Sequence, residues 1–240
     1  MEKLVYLLWK RDGEDPKALR DALLAEAAPR LLASGVRALN LSFSDLADEL
    51  GGRGLVMGEG PRLAAVAALW LDCLDERAPI ERVLAEGGRD LDGYLVTESV
   101  PQRCRDRDWP DGARSPGVSH FTWFPKPEGL SDEQFFRGWH EQHTPLSFEL
   151  HPLRWEYVRN SVARALTPGA PPVRAIVTER FRELEDYLEP SRLYGSREVV
   201  ERMLAELPQF ADVRQMHSVP LSEYVVSSPA GAAGTARAGD

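Results

Sequence analysis

The residues of this chain that suit chemistry gather in one stretch, Phe135-Phe-Arg-Gly-Trp-His-Glu-Gln-His-Thr-Pro-Leu146. Phe135, Trp139 and His143 are spaced four apart, so on a helix they share one face, with Phe136 and His140 close by. Pro145 donates no N–H and disfavours helix at Thr144, so the helix is expected to stop or kink there. His143 would then occupy a last turn, where unpaired carbonyls favour an imidazolium. Histidine titrates nearest neutrality of the common side chains, which suits it to proton transfer. The competing assignment makes His143 a helix-end residue bonding a carbonyl, His140 a surface or packing residue, and Trp139 a piece of core.

A second pairing comes from an internal match. Ser99-Val-Pro101 recurs as Ser218-Val-Pro220, which sets Glu98 opposite His217. A histidine and a carboxylate on corresponding strands can form an acid–base pair, and strand-end polar groups can equally be solvated. Tyr157, Trp155, Trp70 and Tyr94 are expected either to wall a small-molecule pocket or to pack a core. The run Gly51–Gly60 lacks the Lys-Ser/Thr that a phosphate loop carries after its glycines, and reads as a mobile loop over the barrel mouth.

The elements that must position these residues repeat. Ile80-Glu-Arg-Val-Leu-Ala-Glu86 matches Val200-Glu-Arg-Met-Leu-Ala-Glu206 at five of seven positions, and Pro29 and Pro145 fall inside corresponding helical patterns. Strands are expected at Leu4–Trp9, Val36–Phe43, Leu63–Leu71 and Gly93–Val100, and again at Val118–Phe124, Arg154–Val162, Val173–Phe181 and Val213–Val219. Helices begin after Asp15-Pro16 and at Ser131, which with Gln134 has capping-box spacing. The order is βαββαβ twice, so the predicted fold is α+β: two tandem ferredoxin-like modules forming an intramolecular pseudo-dimeric α/β barrel. Residues 1–100 form the first module, mainly structural; 101–117 the linker; 118–226 the second module, with the site; 227–240 a disordered tail. His120, Thr122 and Phe124 share one strand face, opposite Phe121 and Trp123. The more polar face, with His120, Thr122 and Tyr6, is expected to line the barrel interior. The apolar face is expected under the helices.

The chain has 240 residues, is 43% hydrophobic and carries a formal net charge of −9. That length suits two modules of about 110 residues. The acidic balance argues against nucleic acid, and Arg103, Arg105 and Arg107, interleaved with Asp106 and Asp108, read as a solvated loop. Cys73 and Cys104 form no CxxC or Cys/His spacing, so neither a disulfide framework nor a metal site is expected. The opening apolar run is too short for a membrane span and reads as a strand, not a signal peptide. A soluble cytoplasmic monomer or homodimer is expected.

Phe135, Trp139, His143, Pro145 and Leu146 together resemble the signature F-x-x-x-W-x-x-x-H-x-P-L of EthD-domain proteins. Leu153–Asn160 is similar to that family's second strand, and Leu69–Asp72 to its third. Aligning Pro145 with Pro29 places His143 opposite Ala27 and Trp139 opposite Leu23, so the sharp motif exists only in the second copy. The resemblance implies one site per chain and a cofactor-independent enzyme acting on a hydrophobic, oxygenated, aromatic small molecule. Dehydration, cyclisation or isomerisation would be driven by His143 or His217 with Glu98. Substrate contacts are expected from His120, Thr122, Tyr6, Tyr157, Trp139, Trp70 and Tyr94. Related two-module barrels include haem enzymes, so a haem or oxygen-using enzyme is the alternative, and a non-catalytic binder of small hydrophobic ligands is a third.

Overall fold

In the computed structural model, which describes residues 1–229, the first strand explains its own composition. All of Leu4–Leu8 in β1 (Glu2–Trp9) is buried on both faces. A strand roofed by helices on one side and facing a second sheet on the other has no solvent side, so its sequence runs apolar without alternation. The chain continues through α1 (Pro16–Ala22), α2 (Ala28–Ala33), β2 (Ala38–Phe43), α3 (Ala47–Leu50), β3 (Leu63–Leu71), α4 (Ala78–Leu84) and β4 (Leu91–Gln102). It then runs through β5 (Val118–Pro125), α5 (Asp132–Phe136), α6 (Thr144–Leu150), β6 (Glu156–Ala165), β7 (Val173–Phe181), α7 (Leu184–Leu188), α8 (Pro190–Leu193), α9 (Arg197–Glu206) and β8 (His217–Ser227).

The eight strands close an antiparallel barrel in the order β1-β3-β2-β8-β5-β7-β6-β4. Within residues 2–102 the neighbours run β4-β1-β3-β2, and within 118–227 they run β8-β5-β7-β6. The seams are β2 with β8 and β4 with β6. Helix starts follow local capping chemistry. Asp15 accepts the Lys17 N–H at 3.0 Å, and Ser131 and Gln134 form a reciprocal capping box.

Both internal prolines are absorbed in the same way. The segments Leu23–Ala27 and Arg137–His143 are π-helical, and the N–H groups of Ala28 and Thr144 donate five residues back, to Leu23 and Trp139. A π turn ahead of the proline relieves its clash and missing donor without ending the helix. The helix expected to stop or kink at Pro145 does not stop but runs on through the π turn to Leu150, and His143 lies mid-helix.

Two further expectations are corrected. The last strand begins at His217, because Val213–Gln215 forms a 3-10 turn capped by Asp212. The polar strand face is outside the barrel. Phe121 and Trp123 join Val5, Leu7 and Ile176 in the interior cluster, whereas Tyr6 packs with Leu19, Ile80 and Leu84 under the helices. The interior faces a second sheet across the barrel, which interdigitating aromatic and branched side chains fill. The putting-aside of His120 and Thr122 to the outer face leaves room for polar groups beneath the helices. The linker is solvated at Arg103, Arg105, Asp106 and Asp108 as its charges suggest, while Trp109 packs on Trp155 at 5.2 Å and Arg107 bonds Asp111 and Ser228. Residues 230–240, most of the expected tail, lie outside the described residues, and Ser227 ends β8. No described helix is long and apolar enough to cross a membrane.

Candidate functional site

Beneath the helices of residues 118–227 lies a cavity of about 240 Å³. Its floor is the outer face of the sheet, where alternation presents His120, Thr122 and Phe124 from β5, Tyr157 from β6, and Val177 and Glu179 from β7. Its roof is the π turn, with Trp139 and His143, and the α9 region, with Met203, Leu207 and Phe210. Leu55 and Met57 reach over from the Gly51–Gly60 loop, so the loop expected over the barrel mouth contributes instead to this cavity outside the barrel. Phe124, Phe135, Trp139 and Phe210 interlock edge-on around it, at centroid separations of 5.7–6.4 Å. Gly138 lets the π turn approach closely, since a Cβ there would lie 3.1 Å from that of Phe210.

Polar groups are few, buried and specific. Burial holds His143 well below its usual range, at about 4, so the ring is neutral near pH 7. Its Nδ1 lies 3.9 Å from Glu206 Oε1, and neither atom has a hydrogen-bond partner. Burial raises the Glu206 carboxyl. Thr144 donates both its Oγ1, at 3.0 Å, and its N–H to the Trp139 carbonyl, so this carbonyl of the turn is not left unpaired. That leaves burial to set the charge of His143, opposite to the sequence-based expectation.

His120 is also neutral, pushed down to about 4 by burial, and its Nδ1 shares a hydrogen bond of 3.0 Å with Tyr187 Oη. Tyr187 in turn accepts the Leu55 N–H at 2.9 Å, which ties the covering loop to the cavity wall. Burial works against the Glu179 carboxylate, but His151, Arg154 and His120, with the Arg154 hydrogen bond, outweigh it and hold it at about 2. Arg154 is fully buried, bonds Glu179, and lies 4.2 Å over the Tyr157 ring. Burial pushes the Tyr157 phenol up to about 12, so it stays protonated as a donor.

Of the residues expected at the site, His143, Trp139, His120, Thr122 and Tyr157 therefore meet in one cavity. The others lie elsewhere. Glu98 pairs with Lys3, and Lys3 lies 4.8 Å over the Trp70 ring, inside one end of the barrel. His217 packs on Trp123 at 5.2 Å and accepts the Glu59 N–H at 2.9 Å. The expected contact between His217 and Glu98 is not formed, because Lys3 and Trp9 lie at opposite ends of β1 and Trp123, beside Trp9, carries His217. Tyr6 donates to Glu81 at 2.9 Å, and Tyr94 donates to the Pro171 carbonyl at 3.1 Å inside the barrel. Glu179, Arg154, Tyr187 and Glu206 were missed. Glu179 stands two residues before Phe181 on a strand already assigned, so alternation alone places it beside Val177. Arg154 and Glu206 carry no such signal, since their partners are remote in sequence. Among the described residues, no three His, Cys, Asp or Glu side chains gather as a metal site.

No family model matches the sequence, and no curated protein matches it. Solved structures do. An anthrone oxidase-like protein is 10% identical, with a TM-score of 0.57, over 95% of this chain and 94% of its own. A candidate monooxygenase of Lactobacillus acidophilus is 9% identical, with a TM-score of 0.51, over 95% of this chain and 98% of its own. At that identity the likeness is one of fold. The chain has the eight-stranded α/β-barrel fold of these two proteins.

Proposed function

We propose that this chain is a cofactor-independent enzyme that moves protons on a hydrophobic, oxygenated, aromatic small molecule, with His143 as the general base. The observation that carries the reading is His143 itself: a buried neutral imidazole with an unpartnered Nδ1, in a cavity walled by aromatic rings. A neutral imidazole near pH 7 accepts a proton readily, and exclusion of water strengthens the field of each nearby group. Glu206, opposite Nδ1, stabilises the imidazolium that forms once the ring takes a proton. Tyr157 and the His120–Tyr187 pair supply donors to ketone or phenol oxygens, and Trp139 and Phe124 hold the ring system. Dehydration, cyclisation and isomerisation all need such positioned proton transfer.

Membership of the EthD family is part of this proposal, supported by Phe135, Trp139, His143, Pro145 and Leu146. So is the fused repeat of ferredoxin-like modules, 1–100 and 118–226, supported by the strand order in each half. A cytoplasmic monomer or homodimer, without nucleic-acid or membrane partners, completes it.

The haem alternative has one observation in its favour, a buried histidine with a free ring nitrogen. The residues around it do not fit the group. Haem brings two carboxylates, and the cavity lining holds the carboxylate of Glu179 and no Lys or Arg. Adding haemin to the purified protein tests this directly, since a stable Soret band would restore it.

The fold shared with an anthrone oxidase-like protein makes anthrone and related fused aromatic ketones the first ligands to try. Saturable quenching of tryptophan fluorescence by such a ketone, with conversion seen by mass spectrometry, is the expected result. His143→Gln should keep binding and lower conversion by about 10²–10⁴. Binding with no conversion of any such compound would instead support a ligand carrier.

A further inference from the structure

The barrel interior holds a second cavity that shares no lining residue with the first. Alternation along the same strands makes the separation. On β6, Tyr157 faces outward while Glu156, Val158 and Asn160 face inward; on β7, Glu179 faces outward while Thr178 and Arg180 face inward. An inner chamber of about 70 Å³ widens into a mouth of about 960 Å³, and Asn40, Trp70, Glu98, Glu156, Val158 and Glu223 line both.

Charge along this funnel is polarised. At the floor Lys3 pairs with Glu98, and from the mouth side the buried Arg180 serves two carboxylates shared by both parts, Glu156 at 3.3 Å and Glu223 at 3.0 Å. One guanidinium against two carboxylates leaves a negative charge without a counterpart, and burying such a charge is costly. Burial accordingly raises the Glu156 carboxyl. Asn160, only 2% exposed, has an unpartnered Oδ1, and so has Asn40. The floor thus holds more acceptors than its Lys3 ammonium serves, and it lacks one positive charge. A primary ammonium meets both needs, with three donors and no acceptor.

The mouth lacks the reverse. Arg180 Nη2 has no partner although the residue is 4% exposed, and it lines the wider part. Arg103 and Arg105 line the rim, and neither is in an ion pair with a described residue. Planar guanidinium groups with free donors suit a carboxylate. Between the two ends, Trp70 and Val158 offer an apolar wall for a short methylene chain.

We propose that the barrel interior binds a small amino carboxylate, its ammonium among Glu98, Glu156, Glu223 and Asn160, and its carboxylate toward Arg180 and the arginine rim. Nothing in the proposed chemistry of His143 requires this site, and neither reading depends on the other.

Calorimetric titration of the full chain tests it with ω-amino acids of graded length, each beside its matched amine and its matched carboxylate. At least one amino carboxylate should bind at up to about 10 mM, and each one-ended analogue should bind about tenfold more weakly or worse. Glu156→Gln and Asn160→Leu should each weaken the amino carboxylate by a similar factor, with folding checked by circular dichroism. If neither variant folds, the comparison of two-ended with one-ended compounds on the unaltered protein still decides. Absence of binding by every amino carboxylate, equal binding of the one-ended analogues, or unchanged affinity in both folded variants would overturn the proposal and leave a hydrated channel only.

Discussion

The two halves of the barrel carry the same strand order and differ in what lies beneath their helices. In residues 2–102, Leu19, Leu23, Leu31, Ile80, Val83 and Leu84 press onto the outer face of the sheet, and all are buried. In residues 118–227 Phe135, Trp139 and Phe210 of the roof pack on the sheet, but α9 does not close over it. No residue of α9 is fully buried, and Leu204 is 56% exposed, whereas Leu84 is 1% exposed. The sheet beneath it bears His120, Thr122 and Glu179 in place of a continuous aliphatic layer. One half is therefore filled and the other hollow. A cavity under a helix costs packing energy, roughly 24 cal/mol for each Å³ left empty, so hollowness on this scale marks a region built for a ligand. The fold survives because the filled half and the barrel interior hold the strands.

The contrast can be broken from either side. The largest expected effect is at the buried pair beside the cavity: Glu179→Gln leaves the Arg154 cation uncompensated and should cost about 3–5 kcal/mol by urea unfolding. A loss near zero would mean that Arg154 finds another anion. In the filled half, Ile80→Ala should cost about 2–5 kcal/mol, whereas Met203→Ala, facing existing space, should cost about 1 kcal/mol or less. Similar costs for the two would contradict the contrast.

Acidification gives the next test. His120 and His143 have folded values near 4, below the usual value of about 6.5 for an unfolded chain. Between those values the unfolded state binds more protons, so stability is full above about pH 6.5 and falls as pH drops toward 4. Each ring contributes up to roughly 3 kcal/mol of that loss. Thermal midpoints measured across the window should fall, and His143→Gln should flatten the slope. The smallest effect is at Thr122→Val, which should change stability by about 1 kcal/mol or less while weakening a bound ketone or phenol severalfold.

Much of the architecture could be read from residues. β3 and β7 have the predicted bounds, and the capping signals at Asp15 and Ser131 are used as expected. Period-two alternation sorted His120, Thr122 and Phe124 from Phe121 and Trp123 correctly, but it could not say which set faced the helices. That choice depends on closure of the sheet, a long-range event with no local mark. The candidate site was legible on one helix, at Trp139 and His143, and on the strands at His120, Thr122 and Tyr157. It was illegible at Glu206, Tyr187 and Arg154, whose roles arise from contacts between elements distant in sequence. The charge of His143 was misjudged for a related reason: the π turn before Pro145 keeps the helix going, and burial then replaces the helix end as the controlling force.

The central claim, that His143 is a neutral base in a ligand cavity, can be tested without knowing the natural reaction. Anthrone carries an activated methylene group, and under nitrogen in heavy water a positioned base exchanges its protons for deuterium. Mass spectrometry near pH 7 should show exchange well above the buffer rate with the native protein, falling by about 10²–10⁴ with His143→Gln. Equal exchange by the two proteins, with anthrone bound to both, would contradict the account.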